Sequence, residues 1–155
     1  MQKERALMDL THSKPLNVLY VCVHNAGRSQ MAEAFTKSLA ASRGLAVRGF
    51  SAGTEAGERV NPLAVQVMEE IGISLEGQMP KQLTQELADS ADRIIAMGCG
   101  VDATSCPARI HLSEDWGLDD PAGRPIEKVR EIREQIRRRV EELLTEIATE
   151  REDKS

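Results

Sequence analysis

At 155 residues, with 41% hydrophobic and 29% charged side chains, the chain has the composition of one globular domain, which excludes a disordered protein. A formal net charge of −5 excludes bulk attraction to nucleic acid or an anionic membrane, and 3% aromatics leave too few rings for a base-stacking platform. An anionic ligand therefore requires a locally built site.

Residues 1–14 read as a polar, peripheral extension in which "KERALMDL" suits a short helix. No run reaches the length of a membrane span, and this N-terminus lacks the apolar centre of a signal peptide, so the expected location is the cytoplasm. A single domain over 15–150 follows, where strand-like and helix-like patterns alternate. "LNVLYVCV" is a two-sided apolar, β-branched run that predicts a central parallel strand. A helix comes next, with Met31, Phe35 and Leu39 on one face and Gly44 as its stop. "LAVRGFSAG" predicts a second strand. Asn61 then caps a helix with Pro62 at its first position, an inner stripe of Leu63, Val67 and Ile71, and an end at Gly72. After a short helix around "LTQELA", "ADRIIAMG" predicts a third strand and "ARIHLS" a fourth. The last helix starts at Pro125 and runs to about residue 149, with a stripe of Ile126, Val129, Ile132, Ile136, Val140, Leu143 and Ile147. Residues 151–155 form a polar tail.

This alternation predicts an α/β fold, a parallel sheet with helices on both faces. Ligands of such sheets bind beyond the carboxyl ends of the strands, where strand order reverses. Cys22, Cys99 and "WGLDDPAG" follow the first, third and fourth predicted strands, so all three converge there.

The loop from Cys22 to Arg28 carries the clearest chemistry. Backbone N–H groups of Val23, His24, Asn25, Ala26 and Gly27, together with the helix start, form a concave anion receptor. Gly27 lets the backbone curl closely around a tetrahedral oxyanion. The planar guanidinium of Arg28 grips two of its oxygens. The same positive surroundings favour a thiolate at Cys22, and Ser29 can donate a hydrogen bond to that sulfur. The competing reading of Cys22 is a small buried residue. A strand before, a helix after and Gly-Arg-Ser at the loop's end weigh against it.

Cys99 and Cys106 in "MGCGVDATSCPA" admit three readings. A zinc site needs four ligands and has only His111 nearby. Two small core residues are a second reading, and a redox pair on a mobile segment is the third. The run "RRR" at 137–139 stands among Glu131, Glu134, Glu141 and Glu142, which predicts a salt-bridged, solvated helix face.

"VLYVCVHNAGRSQMAE" resembles the phosphate loop of the low-molecular-weight protein tyrosine phosphatase superfamily, and within it the arsenate reductases. "SAGTEAGERVNPLAV", "DWGLDDPAG" and the final helix are similar to segments of that group. The resemblance extends from about Leu16 to Leu144. It implies a four-stranded parallel sheet flanked by helices, with Cys22 as nucleophile, Arg28 as oxyanion clamp, Ser29 as thiolate stabiliser and Asn25 as the residue that shapes the receptor. Asp120, just before Pro121, takes the place of the general acid; Asp119 is the adjacent competitor, and a plain acidic turn is the bland reading of both.

The spacing of Cys99 and Cys106 resembles that of the three-cysteine reductases recycled by thioredoxin. For this chain that implies arsenate reduction in arsenic detoxification, with a disulfide passing from Cys22–Cys99 to Cys99–Cys106. Gly98 and Gly100 suit the movement required. No tightly bound cofactor or metal is implied; the expected partners are arsenate, with phosphate or sulfate as competing anions, and an external thiol reductant, thioredoxin before others. "CVHNAGRS" departs from the usual thioredoxin-coupled loop at His24 and Gly27, and resembles relatives that use a low-molecular-weight thiol with glutaredoxin-type help. Some thioredoxin-coupled members hold potassium beside the loop. Asn25, Glu33 and Ser51 match three of its ligands, and Lys81 stands near the acidic fourth, so a lysine ammonium is expected to replace the ion and brace Glu33; solvated surface charge is the alternative.

Two other functions share these motifs. A tyrosine phosphatase would use the same loop, but needs aromatic residues after Asp-Pro, where this chain has Ala122 and Gly123, and usually shows "RSP" in place of "RSQ". A non-catalytic oxyanion-binding or phosphocarrier module needs neither the arginine nor the Asp-Pro acid.

Overall fold

A computed structural model of the chain describes residues 14–98 and 112–153. The expected N-terminal helix, Cys99, Cys106 and most of the expected fourth strand lie outside those residues.

Strand β1 (Leu16–Cys22) is central because both its faces are apolar. Val18, Tyr20 and Cys22 turn to one side and Leu19 and Val21 to the other, all buried, which is the two-residue alternation of a strand covered on both faces. It pairs in parallel with β2 (Val47–Gly53) on one edge and β3 (Arg93–Ala96) on the other; β4 (Glu114–Asp115) adds beyond β3, giving the order β2-β1-β3-β4. The chain leaves β1 for one neighbour and returns later to the other. The strand order thus reverses at β1, and Cys22 stands at the crevice this creates.

Helix α1 (Arg28–Arg43) ends at Gly44, whose left-handed φ of 66° lets its N–H reach the carbonyls of Ala40 and Ala41. Asn61 caps α2 (Pro62–Glu69) by accepting from the Leu63 N–H, and Thr84 caps α3 (Gln85–Ser90) by accepting from Leu87. Helix α4 (Ile126–Asp153) lays Val129, Ile132, Ile136, Val140, Leu143 and Ile147 into the core. The larger core joins α1, α2 and α4 to the Val18–Tyr20–Cys22 face; the smaller packs Leu83, Leu87 and Ala88 around α3 against Leu19 and Val21. None of the described helices is long and apolar enough to cross a membrane.

Three local expectations are corrected. Ile71 is 37% exposed, because α2 stops at Glu69 and its inner stripe is Ala64, Val67 and Met68. The fourth strand pairs at Glu114 opposite Ile95, later than "ARIHLS"; Ser113 precedes it, its N–H donating to the Ile94 carbonyl and its hydroxyl accepting from the Ile94 N–H. Helix α4 continues to Asp153 because Glu146 and Glu150 pair with Arg93 and Arg151 donates to the Lys14 carbonyl.

Tyr20 is fully buried, 2.6 Å from the Thr36 hydroxyl. Since Thr36 donates to the Ala32 carbonyl, the Tyr20 hydroxyl is the donor in that pair. Burial pushes its phenol well above the ordinary range, outweighing the opposite effect of the Thr36 bond. A folded value raised this way supports stability fully below the unfolded value of about 10 and loses it as pH climbs through the folded one. Urea unfolding midpoints should therefore fall above pH ~10, and Tyr20→Phe should flatten that fall.

Candidate active site

The loop after β1 is held from outside by its carbonyls. Those of Cys22, Val23, His24 and Ala26 accept from the N–H groups of Thr54, Glu55, Gly57 and Asn61 at 2.7–3.1 Å. In a planar trans peptide the following N–H points the opposite way, so the amides of Val23, His24, Asn25 and Gly27 face the concave side. Gly53 makes this seat possible: a Cβ there would lie 2.6 Å from the Val23 carbonyl and 3.0 Å from the Asn25 nitrogen. Asn25 sits in the left-handed region, with φ 53°, and is fully buried. Asparagine is among the few side chains that accept that conformation.

Cys22 is 4% exposed, with its sulfur 2.8 Å from the Ser29 hydroxyl and 3.2 Å from the Asn25 N–H. Arg28, also buried, leads α1. Its Nη1 donates to the Leu118 carbonyl at 2.7 Å and approaches that of Met97 at 3.4 Å, which leaves the Nε–Nη2 edge for an oxyanion. Gly98 (φ 148°) permits this placement, since a Cβ would meet the Leu118 oxygen at 2.5 Å and Arg28 Nη1 at 2.6 Å. The sequence suggested Gly98 only as a flexible flank.

Cys22, Arg28 and Asp120 line one cavity of about 240 Å³, walled by His24, Ala26, Pro121, Ala122 and Gly123. Asp120 accepts from the Ala122 N–H at 2.9 Å and lies 3.9 Å from Arg28 Nη2. Asp119 turns away: it pairs with Lys128 at 3.0 Å, and that hydrogen-bonded ammonium holds its carboxyl below the usual range. Asp119 lines a separate cleft with Arg138 and Arg139. Of the arginine run, only Arg137 has ion pairs among the described residues, with Glu134 and Glu141, so the expected salt-bridged face holds for that residue alone.

Gly27 lines the same cavity as Cys22, and its missing Cβ also makes room for Pro121, whose Cγ would stand 2.8 Å from such an atom. His24 places Nδ1 3.0 Å from the Glu55 carbonyl, which fixes that nitrogen as the donor.

Glu33, 3% exposed, accepts from Ser51 at 2.8 Å, pairs with Lys37 at 2.9 Å and meets the Lys81 ammonium at 3.4 Å, while the Lys81 N–H donates to Asn25. Lys81 thus braces Glu33, as the lysine-for-ion expectation requires, and exchanging potassium for sodium should leave the thermal midpoint and activity unchanged. Strong activation by potassium would defeat that expectation. The sequence reading assigns Gln30 no role. It is fully buried on the first turn of α1, and a glutamine among apolar inward positions was the available signal.

Residues 17–153 match the low molecular weight phosphotyrosine protein phosphatase family. A relative from Synechocystis sp., named glutaredoxin arsenate reductase, is 41% identical over 132 residues, covering 84% of this chain and 98% of its own. A solved structure described as an arsenate reductase in the phosphate binding state is 38% identical, with TM-score 0.72, covering 85% of this chain and 98% of the other. The YwlE arginine phosphatase from Geobacillus stearothermophilus is 28% identical, with TM-score 0.75, covering 90% and 97%. The four-stranded parallel sheet, the Cys22–Arg28 loop and these matches together place the chain in one family: it belongs to the low molecular weight phosphotyrosine protein phosphatases.

Proposed function

We propose that this protein reduces arsenate to arsenite, with Cys22 as nucleophile and Cys99 and Cys106 as a disulfide relay reset by an external thiol. The observation that carries this reading is the cavity above Cys22: it offers inward amides and an arginine edge to a tetrahedral oxyanion, and no Phe, Tyr or Trp lines it among the described residues. The names of the Synechocystis relative and of the phosphate-bound structure support the same substrate class.

The Cys22 thiolate forms a bond to arsenic(V) while an arsenate hydroxyl departs as water, taking its proton from the Asp120 carboxyl. Arg28 and the loop amides hold the remaining oxygens. Cys99 then attacks the Cys22 sulfur; the S–As electron pair stays on arsenic, which leaves as arsenite, and the two thiols have supplied the two electrons. Cys106 attacks Cys99 and frees Cys22, and two external thiols reduce the resulting disulfide. Glutaredoxin is favoured by the relative's name, and thioredoxin by the three-cysteine spacing.

A second reading, phosphomonoester or phosphoramidate hydrolysis on the same loop, draws support from the arginine phosphatase likeness. It needs no cysteine beyond Cys22. The deciding experiment measures arsenite production with glutaredoxin plus glutathione, with mycothiol plus its own redoxin, and with thioredoxin plus its reductase. Arsenite from at least one system is the expected result; none from any, with phosphatase turnover retained, would overturn the proposal in favour of the second reading.

A further inference from the structure

Gln30 touches neither the cavity nor the sulfur, yet the orientation of its amide is fixed by what surrounds it. Its Nε2 faces three oxygens, the Asn25 carbonyl at 3.2 Å, Asn25 Oδ1 at 3.0 Å and the Met79 carbonyl at 3.1 Å. Two of these are backbone acceptors, so only the NH2 end can stand there. Its Oε1 is buried without a partner among the described residues, so that oxygen gains nothing from the arrangement and the amide is held by its donor end.

The polarity of the next group follows. Asn25 Oδ1 accepts from Gln30 and from the Lys81 backbone N–H at 2.8 Å, which turns the Asn25 NH2 towards Ser29, 2.7 Å away. Ser29 Oγ is thereby an acceptor from Asn25, and its own hydrogen is left for the Cys22 sulfur at 2.8 Å. A hydroxyl hydrogen directed at sulfur stabilises the thiolate over the thiol. Gln30 also fixes the carbonyl of the left-handed Asn25, whose own N–H is the second donor to that sulfur at 3.2 Å.

We infer that Gln30 is a positioning residue for the nucleophile: by its donor end, together with the Lys81 N–H, it sets the direction of the chain Gln30→Asn25→Ser29→Cys22, and so the reactivity of the sulfur. The inference deepens the proposed function, since thiolate attack is that reaction's first step, but its test does not depend on the substrate being arsenate.

The test uses the full chain with Cys99 and Cys106 replaced by serine, so that Cys22 is the only thiol, and follows its alkylation by iodoacetamide against pH. Gln30→Met keeps the length and removes both donors. It is expected to alkylate about tenfold more slowly than the parent near pH ~6 and at the same rate near pH ~10, where the thiolate forms without help. Gln30→Glu, which sets an acceptor against three acceptors, should show a larger loss at the lower pH. Because the chain passes through Ser29, adding Gln30→Met to Ser29→Ala should cost less than half of what it costs alone, on a logarithmic scale. Superimposable profiles for Gln30→Met and the parent would overturn the inference, as would an undiminished loss in the Ser29→Ala background. A thermal midpoint that falls with no change of profile would show that Gln30 serves packing alone, and would also overturn it. If no thiol system reduces arsenate but the profiles shift as described, the reaction assigned above fails and the role of Gln30 stands.

Discussion

Replacing Gly98 with alanine is expected to lower kcat/KM for arsenate by about two to three orders of magnitude, close to the loss from removing the arginine clamp itself. The new Cβ would sit 2.5 Å from the Leu118 carbonyl and 2.6 Å from Arg28 Nη1, inside the distance any real contact permits. Neither neighbour can yield cheaply. Leu118 follows the edge strand, its N–H bonded to the Met97 carbonyl at 2.9 Å, and Arg28 is buried with Nη1 donating to the Leu118 oxygen at 2.7 Å. The φ of 148° adds a backbone cost for any residue with a Cβ. The guanidinium must therefore leave the position from which its free edge meets the oxyanion. Steady-state arsenate kinetics on Gly98→Ala and Arg28→Lys, beside thermal melts, check this. Near-parental kcat/KM in Gly98→Ala would mean that Arg28 does not depend on this close approach.

Cys106→Ser is expected to release one arsenite per enzyme molecule and then stop. With the third thiol gone, the disulfide formed when arsenite leaves has no internal route outward, and Cys22, 4% exposed at the floor of its cavity, is poorly placed for an external thiol. Steady-state turnover should fall by at least about a hundredfold while the first turnover keeps its rate, since in the proposed relay Cys106 takes no part before arsenite departs. Rapid-quench measurement of arsenite, with mass spectrometry of the trapped Cys22–Cys99 pair, checks both halves. Sustained turnover by this variant, or a trapped bond between other cysteines, would refute the order of the relay. In the same assay Cys99→Ser should release no arsenite.

Much of this site was legible because its chemistry is local in the chain. Cys22, Asn25, Arg28 and Ser29 lie within one strand-loop-helix transition, where an apolar run, a glycine and a helix start already define the geometry. The sheet was legible for a related reason: β1 is apolar on both faces, which only a central strand between helical layers satisfies. What stayed hidden depends on contacts distant along the chain. Gly27 is small because of Pro121 and Gly98 because of Leu118, and neither requirement leaves a pattern near the glycine itself. Choosing Asp120 over Asp119 by geometry needed Lys128, a turn into α4, to draw the other acid away. Ile71 was misplaced because periodicity continues smoothly through a helix end that backbone geometry cuts off at Glu69.

The outward anchoring of four loop carbonyls has a bearing on selectivity. A receptor already held open by its own scaffold pays little ordering cost when an anion arrives, and it recognises a tetrahedron of oxygens rather than the atom at its centre. Phosphate, sulfate and arsenate should all enter with similar ease. In the proposed reaction, discrimination arises after docking, at the moment when a second sulfur attacks the first. Arsenic can accept the electron pair and depart in a lower oxidation state, whereas phosphorus holds its own too firmly to do so. The pocket selects a shape, and the electronic character of the bound atom selects the reaction.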